Sequence, residues 1–472
     1  MPAVNTARRL AVAAATLLAG CSSHVPAPTP ATETAPMLAQ RLAGQPATRA
    51  QDIACELTDA AGPRLAGSKG DALARTWALE KMKAIGLVNV REEPVTVPHW
   101  ERGPISVEIV SPSQPLVAAA LGGSISTPPG GITAPVLRVT SIEALVALSD
   151  DQVRGKIVYF DKPMQRVRDG FASYGQTVDV RGKGAIAAAK KGAVASLIRS
   201  VGTSNARFPH TGSMRYQEDV PKIPAAALAI PDADILTRLF ARGQTPSVKL
   251  VLEATQHPDA TSGNILGEVK GRTKPDEIVL IGAHLDSWDL GPGGVDDAAG
   301  VGVVLEIARL FLAEPPARTV RVVLFANEEN GLKGARAYAV AHAAELPKHH
   351  VAFEVDGGAG EAWQLLWTAG EGADAAMAPL VKKLAPLGVE AVLRNDDAGG
   401  ADLIPLEAAG VPRLGLKQDA RRYFDLHHTA DDTCDKIDPA EIAQLTAAAW
   451  QSVRHVANLP ERLPAAPLPK PE

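Results

Sequence analysis

Residues 277–300 read EIVLIGAHLDSWDLGPGGVDDAAG, and this stretch decides the fold. Its first seven residues, EIVLIGA, form a short apolar run, the pattern of a buried strand. His284 and Asp286 follow at once. A Gly/Pro-rich turn comes next, and Asp296-Asp297 then precedes an apolar stretch, Ala298–Ala313, that suits a helix with an acidic N-terminus. Thr319–Ala326 (TVRVVLFA) is a second β-branched run, Ala335–Ala344 has helical composition, and Val351–Val355 is strand-like. Val411–Leu416 reads as a further strand and Pro439–Ala457 as a closing helix. Strands alternating with helices predict an α/β fold, its sheet covered on both faces.

Working outward, residues 136–252 read differently. RGKIVYFDKP, GKGAIAAAKKGAVASLIRS and VPKIPAAALAI give a strand, a small-residue helix and another strand. They predict a compact unit inserted into an α/β domain made of residues 38–135 and 253–459. The alternative is a continuation of the same sheet.

At the N-terminus, Arg8 and Arg9 precede an apolar segment, Leu10–Gly20, too short to span a bilayer. This is the pattern of a secretory signal over residues 1–20. Leu18-Ala19-Gly20-Cys21 resembles the lipobox of bacterial lipoproteins, which would leave Cys21 as a lipidated N-terminus; an ordinary signal peptide is the alternative. Ser22 favours sorting to the periplasmic face of an outer membrane or to the cell surface. Residues 21–37 are rich in Pro, Ala and Thr and read as a tether. Residues 460–472 (PERLPAAPLPKPE) read as a flexible tail.

Composition narrows the function. A chain of 472 residues allows two to four domains at about 100–200 residues each. Lys plus Arg is 48 against 53 Asp plus Glu, so no basic excess exists to grip nucleic acid. Hydrophobic residues make up 46% and charged ones 21%, which excludes general disorder. Three cysteines exclude a disulfide-dense scaffold and a thiolate zinc cluster. With Cys21 lipidated, Cys55 and Cys434 remain, and an oxidising compartment permits but does not require a bridge between them.

The polar residues at the predicted strand ends carry the chemistry. They are His284 and Asp286, then Asp296 and Asp297, then Glu328-Glu329 in FANEENG, then Asp356 in FEVDGG, and last His427-His428 in HHTADDT. The open edge of an α/β sheet is where sites form. Singly each signal is weak: an Asp at a helix start is usually a cap, and a lone His usually a hydrogen bonder. Together they put imidazoles and carboxylates at five such positions with no interleaved lysine. Crowded carboxylates raise one another's pKa, and a divalent cation removes that conflict. Imidazole plus carboxylate, with no thiolate, suits zinc or another first-row dication.

The series H-x-D, D-D-x-x-G, E-E, D and H-x-x-x-D-T resembles the dinuclear zinc exopeptidases of the aminopeptidase Y type, and within them the plasma glutamate carboxypeptidase branch. GPRLAGSK at 62–69, VPHWERG at 97–103, STPPGGITA at 126–134, PHTGSMRY at 209–216 and GGADLIPLEAAGVP at 399–412 share the likeness. The resemblance implies a three-layer α/β/α fold with a mixed sheet and an inserted protease-associated-like domain. It also implies two Zn²⁺ per subunit. His284 and Asp356 would bind one ion, Glu329 and His428 the other, and Asp296 would bridge them. Glu328 would be the general base. Asp286 would hydrogen-bond the ring of His284, and Asp297 would follow Asp296 through a cis peptide. His427 would be a bystander.

The resemblance further implies hydrolysis of small peptides, chiefly dipeptides with a free C-terminus, by a homodimer. An aminopeptidase is the nearest alternative. A glutaminyl cyclase with one zinc and a non-catalytic ectodomain of the transferrin-receptor kind are more distant ones. Tyr423 is either an oxyanion donor or a packed aromatic. His210 either lines the substrate cleft or makes a local hydrogen bond in its loop. A carboxylate clamp needs a placed arginine, for which Arg64, Arg421 and Arg422 are available. The other histidines are expected to be surface or packing residues.

Overall fold

The computed structural model describes residues 40–391 and 398–469. The expected signal segment, Cys21, the tether and residues 470–472 of the tail lie outside them.

The first strands in chain order are β1 (Val88–Val110), β2 (Ser113–Leu116), β3 (Ala118–Ala120), β4 (Ile132–Val139), β5 (Ile157–Phe160), β6 (Ala195–Arg199) and β7 (Ala225–Leu228). They are followed by β8 (Ser247–Val269), β9 (Lys274–His284), β10 (Arg318–Phe325), β11 (His349–Glu354), β12 (Ala362–Thr368), β13 (Glu390–Ala391) and β14 (Arg413–Gln418). The main sheet runs β13-β12-β14-β11-β9-β10-β8. It is mixed: β10, β9, β11 and β14 are parallel, whereas β8 and β12 run against their neighbours β10 and β14.

Period-two alternation sorts its side chains into two cores. Val279, Ile281 and Ala283 of β9 and Val320, Val322 and Leu324 of β10 pack on one face. There they meet the helices Ala50–Ala61, Ala299–Ala313 and Pro439–Ala457. Leu280, Val323 and Phe325 point the other way, against Ala335 and Tyr338 of the helix Lys333–Ala341. The result is three layers, helix, mixed sheet and helix. The helix Ala299–Ala313 lies so close to Ala50–Ala61 that a Cβ on Gly302 would stand 2.2 Å from the Ala50 carbonyl oxygen.

The strands of the inserted region, β4-β5-β6-β7-β3, continue the hydrogen-bonded order from β8 through the antiparallel β4–β8 pairing, as the alternative of a continued sheet expects, yet they pack a core of their own around Val136, Ile157, Tyr159, Leu197 and Leu228. It reaches further upstream than residue 136. Val107 and Ile109 of β1, Leu116 of β2 and Ala120 of β3 belong to the same core. The reason is the ribbon of β1 and β8, paired from Val88↔Glu268 to Ile109↔Val248. One continuous ribbon serves both parts of the sheet, so no break in composition marks the passage between them.

Residues 460–469 are not free of the body. The Gly370 N–H donates to the Pro464 carbonyl at 3.0 Å, the Ala466 N–H donates to the Gly410 carbonyl at 2.9 Å, and Leu463 is buried. The expectation of a flexible tail is corrected there: backbone groups on two glycine turns pair with it.

Cys55 and Cys434 form a disulfide with a Cα–Cα distance of 5.3 Å across 379 residues. It ties the helix Ala50–Ala61 to the segment just after His428. Replacing both cysteines by serine is expected to cost about 2–4 kcal/mol, chiefly by freeing the unfolded chain. Urea unfolding of the two proteins would show this as a lower midpoint, with a steeper slope for the variant because its freed unfolded chain exposes more surface. Among the described residues, no helix is long and apolar enough to cross a membrane.

Candidate active site

Four parallel strands present their C-terminal ends at one edge. β9 ends on His284, and β10 leads into Asn327-Glu328-Glu329. β11 stops two residues before Asp356, and β14 opens the loop that carries Tyr423, His427 and His428. This is the edge at which open α/β sheets hold ligands. Two backbone positions there are left-handed without being glycine, Asn327 (φ 64°) and His428 (φ 61°). Such conformations persist where the surroundings over-determine them and are concentrated at functional sites.

Asp296 stands at the centre. Its Oδ1 lies 3.1 Å from His284 Nε2 and its Oδ2 lies 3.3 Å from His428 Nε2. Asp356 Oδ1 is 3.6 Å from His284 Nε2, and Glu329 Oε2 is 2.9 Å from His428 Nε2. The five candidate ligands therefore meet in one buried place, with one carboxylate between two imidazoles. Donor atoms of His284, Asp296 and Glu329 lie within 4.8 Å of one another, as do those of His284, Asp297 and Asp356. So do those of Asp296, His427 and His428. His427 is thus more than a sequence neighbour: its ring stacks on His428 at 3.4 Å, and its Nε2 is 3.8 Å from Asp296 Oδ2. A separate group, His99, Glu101 and His257, lies on the exposed ribbon.

Backbone contacts hold the cluster. Asp297 Oδ2 accepts the His284 N–H at 3.1 Å, and its Oδ1 accepts the Gly300 N–H at 3.1 Å. A Cβ on Gly300 would fall 2.1 Å from the Val355 carbonyl, so only glycine lets this helix start so near β11. The Asp296–Asp297 peptide is cis. Asp432, which the sequence reading passed over despite its place in the H-x-x-x-D-T pattern, accepts the Val295 N–H at 2.6 Å and the Asp296 N–H at 3.2 Å.

Several expectations need correction. The Asp286 carboxylate does not hold the His284 ring; its Oδ1 stands 3.8 Å from Nδ1, and the Asp286 backbone carbonyl accepts from Nδ1 at 3.0 Å instead. The carboxylate turns to the Glu328 N–H, accepting it at 3.0 Å. Arg64 is no clamp. It is fully buried and donates to the carbonyls of Leu285 (2.6 Å), Gly293 (3.1 Å) and Pro292, fixing the loop before Asp296. Arg421 pairs with Asp419, and Arg422 lies 3.6 Å from Glu441; neither lines the cleft. His210 stands behind the cleft rather than in it, its Nδ1 donating to the His427 carbonyl at 2.7 Å. That bond is not local, for it joins residues 217 apart. Tyr423 does line the cleft, packed against His427 at 5.1 Å.

The donor set fits a pair of metal ions. A carbonyl oxygen can only accept, so His284 Nδ1 carries a proton toward Asp286, and His428 Nδ1 toward the Thr211 carbonyl at 3.3 Å. Each Nε2 then aims at carboxylate oxygens, an arrangement that calls for positive charge between them. The spacings of 2.9–3.6 Å bracket the about 3.3 Å between neighbouring donors on a tetrahedral zinc. Electrostatics agree. Burial, then the nearby Asp356 and Glu329 charges, push the Glu328 carboxyl well above the usual range. Burial likewise raises Asp286 to about 7 and Asp432 to about 7. Burial alone would raise Asp296 too, yet its contacts with His284 and His428 hold it well below. Burial works against the charge on His428, and the Glu329 carboxylate overrides it, raising the imidazole to about 9.

The cleft beside this cluster has a volume of about 590 Å³ and is lined by Glu328, Asp356, Tyr423 and His428 together with Tyr174 and Arg181 of the inserted region. The fold and the donor set define a dinuclear zinc metallopeptidase. The model of peptidase family M28 matches residues 264–453. Carboxypeptidase Q of Mus musculus is 39% identical over 86% of this chain and 85% of its own length. The solved structure of a peptidase M28 precursor from Shewanella amazonensis SB2B is 45% identical, covers 92% of this chain and 98% of that one, and superposes with a TM-score of 0.87. Aminopeptidase YwaD of Bacillus subtilis (strain 168) is 25% identical over 86% of this chain and 85% of its own length. The chain belongs to peptidase family M28, and it is a zinc exopeptidase.

Proposed function

We propose that this exopeptidase hydrolyses small peptides, chiefly dipeptides with a free C-terminus. One observation carries the hydrolytic part of the reading: Asp296 gives one oxygen to each imidazole, while Glu328 faces the same cleft from outside every donor grouping. In this reading His284 and Asp356 would hold one zinc, Glu329 and His428 the other, and Asp296 would be shared between them. When bound, the ions supply Lewis acidity toward the scissile carbonyl and lower the pKa of the attacking water toward about 7.

The rest falls to the chain's own residues. Glu328 takes the proton from that water and delivers it to the leaving amine, which suits a carboxyl whose pKa is raised by burial. Asp286 fixes the Glu328 backbone, so adjacent glutamates face different tasks. The Tyr423 hydroxyl is the donor toward the developing oxyanion. A cleft of about 590 Å³, closed on one side by the inserted region, suits short peptides. The name carboxypeptidase Q of the 39% identical relative favours recognition of the carboxy end. An aminopeptidase is the second reading, favoured by YwaD at 25% identity. A binding scaffold without activity is disfavoured by the complete donor set.

The test is metal removal. Dialysis against a chelator is expected to lower dipeptide hydrolysis at least about 100-fold, with recovery on adding two equivalents of zinc. Turnover that survives complete zinc removal, or absence of turnover in the reloaded protein, would overturn the reading. We also place the mature protein on the exported side of the membrane, held by lipid on Cys21. The Cys55–Cys434 disulfide supports the oxidising compartment, and mass spectrometry of the mature N-terminus tests the lipid.

A further inference from the structure

Six arginines are buried among the described residues: Arg64, Arg181, Arg199, Arg318, Arg321 and Arg413. Four of them pair with a carboxylate: Arg199 with Asp161, Arg318 with Glu277, Arg321 with Glu268, and Arg413 with Glu407. Arg64 is satisfied by three backbone carbonyls. Arg181 differs. Its nearest acceptors are the Tyr174 hydroxyl and the Thr211 carbonyl at 3.5 Å, and its Nε–H has no partner. No carboxylate of the described residues pairs with it, although it lines the cleft. A buried guanidinium without a counter-charge is costly unless a ligand supplies one.

The position is built. Arg181 sits in the first turn of the helix Asp179–Lys190, on its buried face with Val180 and Gly184. Its guanidinium lies 5.3 Å over the Tyr174 ring. A Cβ on Gly212 would fall 2.4 Å from its Nη1, so glycine makes room for it. The Thr211 carbonyl that faces Nη1 also accepts from His428 Nδ1 at 3.3 Å. The guanidinium thus stands a single carbonyl away from the donor cluster.

We propose that Arg181 is the anchor for the substrate's C-terminal carboxylate. This rests on the peptidase reading above and specifies which end of the peptide is recognised. One extended residue spans about 3.3–3.6 Å. A carboxylate one residue beyond the scissile bond therefore lies within reach of a guanidinium this near the cluster. The orphan Nε–H and one Nη–H form the fork that binds a carboxylate in two parallel bonds.

The experiment compares a dipeptide with its C-terminal amide in zinc-loaded enzyme. The wild type is expected to favour the free acid by about 100-fold in kcat/KM, the scale of a charged hydrogen-bonded contact. Arg181→Met should lose that factor on the acid, leave the amide unchanged and keep its zinc. Arg181→Lys should recover part of the preference. A wild type that cleaves the amide as well as the acid overturns the proposal and leaves the peptidase reading intact. A folded variant that keeps the full preference does the same. Should Arg181→Met fail to fold, the wild-type ratio and Arg181→Lys decide the matter. Cleavage of neither substrate by loaded wild type is the separate failure, that of the peptidase reading itself.

Discussion

Glu328→Gln is expected to keep two zinc ions per chain and to lose about 10²–10⁴-fold in kcat. The argument is geometric. Glu328 belongs to none of the donor groupings, so removing its charge leaves the ligand set as it is. The substitution keeps the shape and the backbone N–H that the Asp286 carboxylate accepts at 3.0 Å. It removes only the ability to take up and return a proton. KM should change little, because the amide still fills the same wall of the cleft. Elemental analysis of the purified variant beside steady-state kinetics checks both halves. Zinc loss together with activity loss would reassign Glu328 to the ligands. Undiminished kcat would remove it from proton transfer.

Asp296→Ala should have the larger effect, loss of both ions and of all measurable turnover. Asp296 is the carboxylate shared between the two imidazoles, at 3.1 Å from one and 3.3 Å from the other. Its loss would leave His284 and His428 without the charge that links them. The expected readings are zinc below one equivalent after dialysis and no rise in the thermal midpoint on titration with zinc, since metal that no longer binds no longer stabilises. Full zinc occupancy would contradict the bridging position. Asp432→Asn makes a useful comparison, for the Asp432 carboxylate accepts the backbone N–H groups of Val295 and Asp296.

The alternation of apolar runs with helical segments was legible because each buried strand of a parallel sheet must be apolar on both faces. β9 and β10 show this, with alternate residues in two different cores. The candidate donors were legible because they are polar residues placed directly after such runs. Other features had no such signature. In the sequence Arg64 is one of three arginines available for a carboxylate clamp, yet it is buried on three carbonyls. The His284 ring donates to a backbone carbonyl, which every residue has and no sequence pattern distinguishes. Arg181 lay hidden in a small-residue helix, and its meaning depends on the absence of a partner.

What the chain determined by itself, then, was chemical type and element: which strands are buried, which side chains stand at their ends, and that those side chains prefer a divalent cation to one another. Tertiary structure decided the pairings. It brought Asp296 between His284 and His428, set Cys434 against Cys55, and put Arg181 on the cleft beside a loop more than two hundred residues away. The physical reason is range. Hydrophobic periodicity and local hydrogen bonding act over a few neighbours, whereas charge compensation and close packing act through space and are blind to separation along the chain.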